Sequence, residues 1–180
     1  MLQDKEKKHI FWLMGPTSSG KTTLAKLLYG RLLSVNNFSI HFDGDEVRDA
    51  FGVNLGFSNN DRLLVVKTLV YVANKGLAAG ANVVVSALTA FDDARLYIKK
   101  NLHHSIVIYL RCSISECANR DPKGLYAREK RGEINTLVGA SSIYHEPVVC
   151  PDIILETEES TPEESLQELI SKLDKLQKNI

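Results

Sequence analysis

A lysine closes a turn rich in glycine and hydroxyl residues: positions 15–23 read Gly15-Pro16-Thr17-Ser18-Ser19-Gly20-Lys21-Thr22-Thr23. The spacing Gly-x-x-x-x-Gly-Lys-Thr is that of a P-loop, and its chemistry follows from the residue types. Glycines let the backbone curl until its N–H groups converge on phosphate oxygens. Lys21 reaches the β- and γ-phosphates, and the Thr22 hydroxyl can ligate Mg²⁺. The apolar run Ile10-Phe11-Trp12-Leu13-Met14 precedes the turn and an amphipathic helical pattern follows it. That context adds the positive end of a helix dipole to the cradle. All nine residues are expected to bind ATP, Thr22 also to hold Mg²⁺ and Lys21 also to act in catalysis.

Three further clusters could aim the phosphate. Asp43-Gly44-Asp45-Glu46-Val47-Arg48 follows the second β-rich run, and ligands of open α/β sheets bind at the carboxyl ends of strands. One of Asp43 and Asp45 could orient or deprotonate an acceptor hydroxyl while the other holds water around Mg²⁺. Arg48 could pair with an anion on the acceptor. The same residues also suit a turn followed by an acidic helix N-terminus. Gly56-Phe57-Ser58-Asn59-Asn60-Asp61-Arg62 offers an aromatic platform in Phe57 and a cation in Arg62; it also reads as a hydrophobic staple with Asn60 or Asp61 at the helix cap. Arg120-Asp121-Pro122-Lys123-Gly124-Leu125-Tyr126, with Arg128, Lys130 and Arg131 beyond it, suits a cationic lid over donor phosphates and equally a solvated basic loop.

The elements that must carry these residues are legible as an alternation. Runs at 9–14, 39–42, 82–88, 105–111 and 152–156 are β-rich, and Val83-Val84-Val85 and Ile106-Val107-Ile108 are apolar without a break, as in strands covered on both faces. Helical patterns fall between them at 21–33, about 61–79, 91–101 and 113–119. A last helix starts at Thr161-Pro162-Glu163-Glu164, where the threonine caps, proline takes the first helical position and glutamate the third. The alternation predicts an α/β fold of three layers around a parallel sheet. Residues 44–60 and about 121–147 resist assignment, and long irregular segments in a compact domain are often lids or binding loops. The chain is read as one domain, 1–180, with its lid at about 121–147.

Composition narrows the function. The 180 residues suit one full core, and 22 basic side chains balance 22 acidic ones, which argues against a broad surface for nucleic acid or anionic membrane. Cys112, Cys117 and Cys150 are odd in number and match no zinc spacing; they are expected to be reduced thiols of a cytoplasmic protein. Asp4-Lys5-Glu6-Lys7-Lys8 and a short apolar run do not make a signal peptide. A guanine-reading Asn-Lys-x-Asp is missing, since Asn74-Lys75-Gly76-Leu77 lacks the aspartate, and a mechanical ATPase would be larger. The five histidines show no ligand spacing. A kinase of small molecules fits best.

Together the motifs resemble the adenylylsulfate kinase family, which uses ATP to phosphorylate the 3′-hydroxyl of adenosine 5′-phosphosulfate. The matching pieces are the Gly-x-x-x-x-Gly-Lys-Thr loop, Asp43-Gly44-Asp45-x-x-Arg48, Gly56-Phe57-Ser58-x-x-Asp61-Arg62, and Asp121-Pro122-Lys123-Gly124-Leu125-Tyr126 with Gly132-Glu133-Ile134 downstream. The resemblance implies a P-loop kinase fold with five parallel strands in the order 2-3-1-4-5, and a homodimer. It places Asp45, near Asp43, against the acceptor hydroxyl, Arg48 and Arg62 on the acceptor's anionic end, Phe57 on one face of its base, and Arg120 and Lys123 in the lid over ATP.

The acceptor half departs from the family pattern. An Asn-Ile-Arg-Arg run is Val65-Val66-Lys67-Thr68 here, so an amide that would read the acceptor is lost. Ile-Ser-Pro-Tyr-Arg is Val85-Ser86-Ala87-Leu88-Thr89, which keeps Ser86 as an acceptor-side residue and loses an arginine. The aromatic that would complete a sandwich around adenine is Leu137. A stacked base is worth roughly 1–3 kcal/mol, so a purine acceptor loses more by this change than a smaller base. The resemblance thus implies phosphorylation of adenylyl sulfate or a nucleotide shaped like it. Relatives in bacterial capsule biosynthesis act on cytidine diphosphoramidate, which is the alternative acceptor. A regulatory nucleotide-binding module without transfer activity is the alternative of another class.

Overall fold

The computed structural model describes residues 7–52, 55–142, 144, 146–149 and 151–178. Asp4 to Glu6, His145 and Cys150, together with Val53 and Asn54 of the segment 44–60 and Ile143 of the segment about 121–147, lie outside the described residues. Five strands, β1 (Ile10–Met14), β2 (Ser39–Asp43), β3 (Asn82–Ser86), β4 (Ser105–Arg111) and β5 (Ile153–Glu156), form one parallel sheet. Their order is β2-β3-β1-β4-β5, as expected. Seven helices are interleaved among the described residues: α1 (Lys21–Ser34), α2 (Gly44–Phe51), α3 (Asn59–Ala78), α4 (Asp92–Asn101), α5 (Ile114–Arg120), α6 (Leu125–Lys130) and α7 (Pro162–Lys178).

The central strand explains the layering. Every residue of β1 is buried, and the period of two sends its side chains alternately to opposite faces. Ile10, Trp12 and Met14 meet Val65, Leu69 and Val70 of α3 and Ile98 of α4 on one face. Phe11 and Leu13 meet Leu24 and Leu28 of α1 and Leu169 and Leu173 of α7 on the other. At roughly 1.5–3 kcal/mol for each large apolar side chain fully buried, this strand anchors both layers, and the P-loop leaves directly from its carboxyl end. Among the described residues no helix is long and apolar enough to cross a membrane.

The two segments without an assigned structure each contain a helix. Residues 44–60 hold α2, whose N-cap is Asp43, its side chain accepting from the Asp45 amide at 2.8 Å. None of its residues is buried, and in its eight residues only Val47 packs against the core. The region about 121–147 holds α6, six residues long. The cap of α3 is Ser58 rather than Asn60 or Asp61. Its hydroxyl accepts from the Asp61 amide at 3.2 Å, and the Asp61 carboxylate accepts from the Ser58 amide at 3.0 Å. That reciprocal pair is a capping box. Thr161 and Glu164 repeat it at α7, with bonds of 2.9 and 3.2 Å.

Candidate active site

The loop between β1 and α1 is bent by its own residues and held from outside. A Cβ on Gly15 would stand 2.6 Å from the Leu110 carbonyl oxygen on β4, so only glycine lets the chain pass there. Ser18 and Gly20 adopt left-handed φ values of 66° and 94°. Thr157, just past β5, donates to the Ser19 carbonyl at 3.1 Å, and Tyr126 of α6 donates to the Thr17 carbonyl at 3.2 Å. Lys21 Nζ bonds the Pro16 carbonyl at 2.5 Å. Burial pulls the Lys21 pKa down to about 8, against the opposing pull of Asp45 and Asp43.

Asp43 joins this loop to the end of β2. The residue is 5% exposed; its Oδ2 accepts from Thr22 Oγ1 at 2.7 Å and from Ser86 Oγ at 2.6 Å. Burial works to raise its pKa, but the bonds from Ser86, Thr22 and the Asp45 amide outweigh it and hold the group below the usual carboxylate range. His41 Nε2 lies 3.2 Å from Ser86 Oγ, so one polar chain runs from α1 across β2 to β3. The donor set around Thr22 is oxygen only, which suits Mg²⁺, an ion that keeps water and phosphate oxygens among its ligands. Among the described residues no cluster of three or more His, Cys, Asp or Glu forms a closed metal site.

Asp45 is exposed, and Lys123 of the basic segment reaches its carboxylate at 2.5 Å, a bond that raises the lysine's pKa. Arg48 donates to the Gly56 carbonyl and lies 4.7 Å from the centre of the Phe57 ring. Arg62 donates to the carbonyls of Phe57 and Thr136 at 3.0 and 2.6 Å and lies 5.6 Å from the same ring. Burial lowers the pKa of both guanidinium groups, and Arg48 lowers that of Arg62 further. Phe57 is half exposed between them.

One cleft of about 790 Å³ is lined by Lys21, Thr22, Asp43, Asp45, Arg48, Phe57, Arg62, Ser86, Arg120, Lys123 and Leu137, and by residues 17–20 and 23 of the loop. That volume lies within the range of ligand sites. Gly15 and Pro16 do not line it. Arg120 is engaged by Glu116 at 2.8 Å and by the carbonyls of Thr157 and Glu158 at 2.6 and 2.7 Å, so it braces the cleft near β5. Leu137 is 7% exposed and packs with Cys112, Cys117 and Tyr126; both cysteines are buried free thiols. Sequence reasoning missed Thr157 and the loop-holding role of Tyr126. The one available signal was the position of Thr157 at the carboxyl end of a strand.

A family model described as adenylylsulphate kinase matches residues 7–156. The chain is 35% identical over 172 residues to an adenylyl-sulfate kinase of Oceanobacillus iheyensis, spanning 94% of this chain and 86% of that protein. It is 35% identical over 151 residues to a probable adenylyl-sulfate kinase of Archaeoglobus fulgidus, spanning 84% and 97%. Among solved structures, the APS kinase CysC of Mycobacterium tuberculosis in complex with AMPPNP and APS superimposes with a TM-score of 0.86 at 30% identity, over 93% of this chain and 98% of that one. A gluconokinase of Sinorhizobium meliloti, at 17% identity and a TM-score of 0.67, shares the fold alone.

Proposed function

The chain belongs to the adenylylsulphate kinase family of P-loop phosphotransferases, and on that footing we propose that it transfers the γ-phosphoryl group of ATP to the 3′-hydroxyl of adenylyl sulfate or a closely similar nucleotide. The observation that carries this reading is the buried Asp43 carboxylate, bonded at once to Thr22 of the phosphate loop and Ser86 of β3. It ties the end of β2 to the phosphate loop, which supports a terminal phosphate lying near that strand end.

Phosphoryl transfer asks the protein chiefly to position two ligands in line and to neutralise charge. The loop amides and Lys21 hold the triphosphate. Thr22 and Asp43 would hold Mg²⁺, which would supply charge neutralisation for the transferring phosphoryl group. Asp45 orients the acceptor hydroxyl and takes its proton. Arg48 and Arg62 face the acceptor's anionic group, and Phe57 lies under its base. Lys123, on a lid at about 121–147, releases Asp45 as it turns toward the donor phosphates. The whole chain acts as one domain and as a homodimer.

Val65 and Leu137 line the cleft where the family pattern has an amide and an aromatic, and both are buried and apolar. They favour a second reading, in which the acceptor is cytidine diphosphoramidate. A panel of nucleotides assayed with ATP and Mg²⁺ tests both. The expected result is ATP consumption that rises only with an acceptor, fastest with adenylyl sulfate. Faster transfer to cytidine diphosphoramidate selects the second reading. ATP binding with no transfer to any acceptor overturns both and leaves a binding module.

A further inference from the structure

The cleft holds an aromatic ring to which none of the motifs above gives a role. We propose that Phe91, on the connection between β3 and α4, forms the second wall of the acceptor-base subsite opposite Phe57 and so replaces the stacking face lost at Leu137. This rests on the reading of the chain as a kinase of nucleotide acceptors. Phe57 and Phe91 are the two aromatic side chains among the described residues that line the main cleft, and both also line a smaller cavity of about 330 Å³ beside it. Arg62 and Thr136 border the same two spaces.

Local structure supports the assignment twice. Phe91 occupies the N-cap of α4, and no side chain caps that helix. Serine, threonine, aspartate or asparagine there would stabilise the helix by about 0.5–2 kcal/mol, so phenylalanine is a poor choice for the helix itself. The connection is also rigidly mounted. Thr89 stands at a left-handed φ of 43°, its hydroxyl accepting from buried Trp12 at 3.0 Å and its carbonyl from buried Arg95 at 3.1 Å. The Arg95 amide donates to the Phe91 carbonyl at 3.1 Å. A flat ring on a fixed loop, facing a polar-edged cavity that already holds one aromatic, is the arrangement that sandwiches a heteroaromatic base.

The test uses full-length protein with Phe91→Ala, Phe91→Leu and Phe91→Tyr, read by steady-state kinetics and by calorimetric titration of adenylyl sulfate and cytidine diphosphoramidate onto the ATP-analogue complex. Thermal melts of each variant report folding. Phe91→Leu keeps apolar bulk without an aromatic face. Both Phe91→Ala and Phe91→Leu are expected to raise the acceptor KM and Kd by about tenfold to a hundredfold, with the KM for ATP unchanged and Phe91→Tyr restoring the wild-type values. Acceptor affinity unchanged in Phe91→Leu, or KM for ATP and acceptor rising together, overturns the proposal. Wild-type protein that binds the acceptor without phosphorylating it overturns the kinase reading alone, because the titrations still decide the role of Phe91. Wild-type protein that binds no nucleotide acceptor overturns both.

Discussion

Lys21 donates to the Pro16 carbonyl, in surroundings that bring its pKa down to about 8. A triphosphate beside it favours the charged ammonium and raises that pKa again. Binding therefore takes up a proton wherever the free lysine is neutral. ATP affinity should be flat below pH 8 and fall as pH rises through 8, which calorimetry in buffers of different ionisation enthalpy will show as proton uptake. Lys21→Ala should lose activity by on the order of a hundredfold or more and lose this pH dependence with it. Asp45 makes a different prediction. Its carboxylate meets Lys123 rather than Thr22, so Asp45→Asn should lower kcat about a hundredfold or more and leave ATP affinity near wild type. A fall confined to ATP affinity would move Asp45 to the metal side.

Among the elements, α3 delivers Arg62 to the cleft and depends on the Ser58–Asp61 capping box for its first turn. Ser58→Ala should cost about 1 kcal/mol and lower Tm by about 2–4 °C; a differential scan checks it, and the KM for the acceptor should rise while that for ATP stays. The strands and the long helices were legible because their signals are local. Val83-Val84-Val85 has no polar face, and Leu169 and Leu173 share one side of α7. By contrast, α2 lies over the cleft with no buried residue, and α6 is short and has a glycine, Gly124, at its N-cap. Their positions come from contacts distant in sequence, such as Tyr126 to Thr17, which no window of neighbouring residues contains. The phosphate loop could be read letter by letter. Phe91 could not, because a lone ring carries no spacing, and Thr157 offered only its place at the carboxyl end of a strand.

At the scale of the molecule, the five-stranded order and both hydrophobic layers follow from one central strand buried on two sides. The proposed homodimer predicts a sedimenting species of twice the 20.0 kDa chain mass at micromolar concentration; a single species at the chain mass would discard it. The cleft residues proposed above divide by element. Those proposed for ATP leave the central strand and its neighbours, where Gly15 abuts Leu110 with no room for a side chain. Those proposed for the acceptor ride on α2, α3 and the connections, where Arg48 and Arg62 are held by backbone carbonyls that any residue type supplies.

Asp43 is tied by one oxygen to both Thr22 and Ser86, and so to both of these proposed territories. A lineage built this way can exchange its cargo by altering side chains on the periphery while its fuel, and the machinery that burns it, stay as they are.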